Sequence, residues 1–208
     1  MNTAFGYASR ATGIVALLLL TAVLVLGILV NRQGRLPGLP RFAVTDLHRN
    51  LSLLSVAFIA VHILTAVADT YVHIPLLSAV VPFASGYERL WLGLGAISVD
   101  LMAAMIVTSL LRGRLNRVVW KAVHLLAYAS WPIAFAHSLG SSKDLQQGWL
   151  LVLAIACAAA VAAALIWRLA HAARQVPRAG RVAAVFAQHS SAEHRASAAR
   201  QARRTVAR

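Results

Sequence analysis

The sequence predicts an all-α bundle of about five transmembrane helices, and three observations carry that expectation. The 208 residues are 60% hydrophobic and only 12% charged, with a mean hydropathy of +0.70. Soluble domains average ~45–50% apolar and ~25% charged residues, so a cytosolic enzyme and a disordered chain are excluded. Five apolar runs are each long enough to cross a ~30 Å hydrocarbon core as a helix, which takes about 20 residues. The basic residues, which give a net charge of +14, crowd into alternate links between those runs. That pattern reads as membrane orientation rather than nucleic-acid binding. The one cysteine, Cys157, lies within an apolar run, which excludes a disulfide scaffold. With no Cys-x-x-Cys, thiolate metal sites and covalent c-type haem attachment are excluded too.

The first run, Ala11 to Val30, carries no charge. A secretory leader has an apolar region of ~7–15 residues and a small-x-small cleavage site; this run is longer and no such site follows it, so it is expected to be retained. The second run spans about Leu47 to Val67, the third Leu90 to Leu111, the fourth about Trp120 to Leu139 and the fifth Trp149 to Leu169. None alternates as a strand would, and all are rich in Leu or Ala, which favours helices over a barrel.

Orientation follows from the Lys and Arg count. Arg32, Arg35, Arg41 and Arg49 lie between runs one and two, and Arg112, Arg114, Arg117 and Lys121 between three and four. Eight further arginines follow run five, from Arg174 to Arg208. Only Arg10, Arg89 and Lys143 belong to the other side, while Arg168 at a helix end can snorkel. Five spans with this asymmetry put the N-terminus outside and the C-terminus in the cytoplasm, as expected for a multi-pass protein of the plasma membrane. The link from Asp69 to Arg89, with Pro75, Pro82, Gly86, Tyr71 and Tyr87, is too mixed to span and is expected at the outer interface. The Ala/Arg/Ser/Gln tail beyond His171 reads as a surface-lying anchor for anionic headgroups.

Histidines carry the chemistry. Run two holds His48 and His62, fourteen residues apart, and run four holds His124 and His137, thirteen apart. Imidazoles at membrane depth are rare and mostly functional. Either spacing separates its two rings by about 20 Å along the membrane normal. Runs two and four both point outward, so His48 lies level with His124 near the inner face, and His62 level with His137 further out. Each level offers two imidazoles from facing helices, the requirement of a six-coordinate haem. Fourteen helical residues return to within ~40° of the same face, whereas thirteen leave His124 and His137 ~140° out of phase. Pro132, between them, is expected to kink or unwind the helix and reset the phase. Zinc or copper would want ligands clustered within a few ångströms, a proton relay would want interleaved carboxylates, and interhelical hydrogen bonding explains a lone histidine better than four. Two stacked haems account best for the pattern.

These residues resemble the ferric reductase-like transmembrane domain family. The resemblance rests on His48-Arg49 with His62 fourteen later, and on Trp120-Lys121-Ala122-Val123-His124 followed by Tyr128 and His137. It extends over roughly Ala11 to Ile166. The family includes ferric reductases, NADPH oxidases and the haem-binding membrane subunit of a periplasmic methionine sulfoxide reductase. The resemblance implies a bundle enclosing two b-type haems, with His48 and His124 as axial ligands of the inner iron and His62 and His137 of the outer. It implies single-electron transfer across the membrane to an external acceptor such as ferric iron or a redox partner. Many members continue into a flavin- and NADPH-binding domain, whereas an Arg-rich stretch of about forty residues without a Gly-rich fingerprint follows run five here. A separate flavoprotein or quinol is therefore the expected donor. The family core often has six spans against the five counted. The organisation expected is residues 1–10 external, 11–171 the transmembrane domain and 172–208 a basic cytoplasmic tail.

Haem propionates need cationic or hydrogen-bonding partners. Arg49, Arg112 and Lys121 are candidates at the inner level, and Arg89, Tyr71 and Tyr87 at the outer. Trp120, Trp131 and Phe135 are expected to pack on porphyrin faces or fill the bundle, and His73 is read as a surface residue. Asp100, mid-span in run three, is costly there and raises an alternative, a quinol-dependent reductase with Asp100 at a quinone site. A non-redox histidine-containing transporter is the third reading.

Overall fold

A computed structural model describes residues 3–31, 41–69 and 74–173. Among these, 86% are helical and there are no strands. The helices are α1 (Thr3–Asn31), α2 (Arg41–Ala68), α3 (Arg89–Leu110), α4 (Arg117–His124), α5 (Ala127–Ser141) and α6 (Gly148–Ala173). Taking α4 and α5 together, five helical segments are long and apolar enough to cross a membrane, as the composition predicts. The chain divides into two compact units, residues 1–164 and 165–208. In the second, the described residues 165–173 form the end of α6, where His171 Nδ1 lies 3.1 Å from the Trp167 carbonyl. The basic tail expected at 172–208 lies, beyond residue 173, outside the described residues, as do Tyr71 and His73.

In the first unit α1 packs chiefly on α2, α3 chiefly on α5, and α1 also touches α5. Leu17, Leu145 and Ala154 form a buried cluster with Ile14, Phe135 and Leu139 around it. Small polar residues share the interior with apolar ones, and large apolar residues cover the outside. Leu53, Leu64 and Leu110 are exposed, while Thr21, Ser55, Ser98 and Ser130 are buried. Lipid is as apolar as leucine, so small residues and interhelical hydrogen bonds, rather than leucine burial, hold such bundles together. Trp131 Nε1 donates to Thr21 Oγ1 across α5 and α1 at 3.0 Å, and Ser130 Oγ to the Ser98 carbonyl across α5 and α3 at 3.3 Å. Ser55 stands seven residues from both His48 and His62, and its hydroxyl donates to the Leu51 carbonyl of its own helix at 2.8 Å.

Two links shape the helix entries. The Asp69–Arg89 link contains a short 3-10 helix, Leu76–Ala79, and ends in Glu88, whose φ of 39° is left-handed. Asn116 caps α4, its side chain accepting from the Val118 amide at 2.9 Å.

The fourth span is where the structure departs from a single helix. Amides of Leu125, Leu126, Tyr128 and Ala129 bond three residues back, to Ala122, Val123, Leu125 and Leu126. This is 3-10 winding, about 120° per residue against about 100° in an α-helix. Roughly five overwound residues advance the chain by about 100° extra, bringing the thirteen-residue pair to within about 40° of one face. The phase reset is therefore centred on Leu125–Ala129, just upstream of Pro132, which sits inside α5.

Candidate functional site

His62 of α2 and His137 of α5 face each other, with ring centroids 6.3 Å apart and planes crossed at 75°. Both border a cavity of about 320 Å³ that is also lined by Gly13, Leu17, Gly95 and Met102. His48 and His124 form the second level. His124 is within electrostatic reach of His48 and Arg112. It stacks on Trp120 at 4.9 Å, and the Arg112 guanidinium lies 4.7 Å over that indole.

Three of the four histidines are seated in the same way. His62 Nδ1 is 2.7 Å from the Ser9 carbonyl, His48 Nδ1 3.1 Å from that of Val23, and His137 Nδ1 2.8 Å from that of Trp91. In each case the residue four positions after the carbonyl is a glycine: Gly13, Gly27 and Gly95. A helical carbonyl already accepts the amide four residues on, and the side chain there crowds its second lone pair. Glycine removes that obstruction. A Cβ at Gly13 would lie 3.0 Å from His62 Nδ1, one at Gly95 2.9 Å from His137 Nδ1 and one at Gly27 3.3 Å from His48 Cε1. Ser9 Oγ adds a 3.3 Å contact to His62 Nδ1. A carbonyl accepts only, so each of these Nδ1 atoms carries the proton and each Nε2 keeps its lone pair for a ligand bond. His124 differs: its Nδ1, like Trp120 Nε1, is buried with no hydrogen-bond partner.

The residues fit an iron porphyrin. A metal–nitrogen bond of about 2 Å on each side, plus about 1 Å from each nitrogen to its ring centre, sums to about 6 Å, matching the 6.3 Å between His62 and His137. Among the described residues no three His, Cys, Asp or Glu side chains converge as a metal-binding group. The His62–His137 level thus offers two protein ligands, the number a porphyrin leaves vacant on iron.

The cationic candidates are dispersed. Arg49, Arg112 and Lys121 are all exposed, and Arg112 reaches the His124 level through Trp120. Arg89 Nε donates to the Phe83 carbonyl at 2.9 Å and does not border the cavity; Arg10 does, paired with Asp144 at 3.0 Å. Tyr87 also borders the cavity, and Asp100 is half-buried on α3 away from it. Trp131 is buried and stacks on Phe135 at 5.1 Å.

The family model of the ferric reductase-like transmembrane component matches residues 12–135. The chain belongs to this family. The match takes in His48, His62 and His124 and stops two residues before His137. No curated protein and no solved structure matches the chain. Membership of the ferric reductase-like family makes transmembrane electron transfer the activity to explain, in a fold that commonly binds haem. The carbonyl–glycine seats on α1 and α3 escape the sequence reading. Their one legible trace is the fourteen-residue interval from Gly13 to Gly27, which repeats that of His48 and His62.

Proposed function

We propose that the chain is a di-haem b-type cytochrome that conducts electrons across the plasma membrane. His48 and His124 hold the inner haem, and His62 and His137 the outer. The observation that carries this reading is the His62–His137 pair, 6.3 Å apart with both Nδ1 protons committed to backbone carbonyls. Each bound haem would supply a one-electron carrier with both axial positions filled. The protein's own work is to hold the imidazoles of His48, His62 and His137 in one tautomer and orientation, which also raises ligand basicity. Arg112 and Lys121 supply positive charge at the inner level and Arg10 at the outer. Electrons enter from a separate flavoprotein or quinol on the cytoplasmic side and leave to an external acceptor such as ferric iron or a redox partner. The N-terminus is external and the C-terminus cytoplasmic.

Purified protein is expected to show a Soret band, a dithionite-induced α-band and about two haems per chain in a pyridine haemochrome assay. Replacing both His62 and His137 by Ala is expected to halve the haem content. A protein that stays colourless after expression with ample haem overturns the reading, and one haem per chain overturns the assignment of one pair.

A further inference from the structure

We propose that His124 is a releasable ligand, and that the inner haem site accepts a neutral diatomic molecule of the carbon monoxide class in its place. The inference rests on the di-haem reading and concerns a difference between the two levels. His48, His62 and His137 each have a backbone acceptor for Nδ1 and a glycine that exposes it. His124 has neither among the described residues, and its Nδ1 is buried without a partner. Fourteen residues on from Gly95, where a fourth such glycine would repeat the interval seen on α1, the chain has Ser109. Loss of the outer-shell partner of a ligating histidine typically costs 10–100-fold in metal affinity, so His124 is the most weakly held of the four ligands.

Its position favours release as well. His124 is the last residue of α4, where α-helical winding gives way to the 3-10 turns at Leu125–Leu126. The ring lies on Trp120, in nearly parallel planes 19° apart, a contact that does not depend on iron. His124 can therefore leave the metal and remain on Trp120, ready to return. At the other level His62 and His137 are both tied to carbonyls of neighbouring helices, and neither has this freedom. The exchange is balanced: the bond from His124 Nε2 to ferrous iron breaks, a bond from iron to the diatomic's carbon forms, and no electron or proton moves.

The test uses the full chain purified in detergent, its haem counted by pyridine haemochrome, then reduced with dithionite and exposed to carbon monoxide. A difference spectrum from about half of the haem is expected. It should persist in the His62→Ala/His137→Ala double variant, which keeps only the inner haem. Gly95→Ala, which crowds His137 in its seat, is expected to raise the reactive fraction from about half towards all. Two haems per chain with no carbon monoxide spectrum overturn the inference and leave the di-haem reading standing. So does a signal that disappears in the double variant. An unchanged reactive fraction in Gly95→Ala overturns the link between seat and release. A haem-free protein overturns the di-haem reading and this inference with it.

Discussion

Trp131 shows how a single polar contact acts inside this bundle. Its indole is buried, and its one N–H reaches Thr21 Oγ1 across the α1–α5 contact. Thr21 in turn donates to the Leu17 carbonyl at 2.8 Å. Thr21→Val keeps the shape but strands the indole N–H, which is expected to cost about 1–2 kcal/mol. Thermal unfolding in detergent measures it, and adding Trp131→Phe should recover part of the loss because both polar groups are then gone. A Thr21→Val protein as stable as the parent would show that the contact contributes nothing. Arg10–Asp144 is the contrasting case. Its side chains are 60% and 48% exposed, and such pairs contribute at most about 1 kcal/mol.

The α4–α5 junction is the element on which both histidine levels depend. Regular winding would leave His124 and His137 on different faces, and the 3-10 turns between Ala122 and Ala129 correct that. Inserting one Ala between Leu125 and Leu126 would turn α5 by about 100° and raise it about 1.5 Å, carrying His137 away from His62. The expected outcome is loss of one haem of two, read by pyridine haemochrome; retention of both would show that α5 adapts freely. The need for such a correction was legible in the sequence, because thirteen residues do not divide into whole turns. Its position was not. Pro132 is the visible irregularity, yet the overwinding ends before it, and bonding four residues back has resumed by Ser130. The histidine seats stayed hidden for a related reason. A carbonyl opened by a glycine four residues later is a backbone feature, and residue types alone do not report which helix will lie against it.

The bundle as a whole was more readable than its parts. Five apolar segments were visible in composition and length, because lipid demands about twenty apolar residues from any helix that crosses it, and the five helices coincide with them. Orientation rests on charge alone and is open to a direct test. Cys157 is buried, so in a Cys157→Ala background a single new thiol reports its own side. Gln147→Cys is expected to react with an impermeant maleimide on intact cells, and Arg114→Cys only after permeabilisation. The reverse pattern would invert the bundle and exchange the roles of the two ends. The polar layer of Thr21, Trp131, Ser98 and Ser130 has a consequence for where this protein can work. It ties helices together midway between the histidine levels, while the rise of α2 alone sets the distance from His48 to His62. A thicker or thinner bilayer is met by tilting the helices and by distorting the surrounding lipid, so the spacing of the two histidine levels, and with it the gap between the proposed haems, stays the same from one membrane to another.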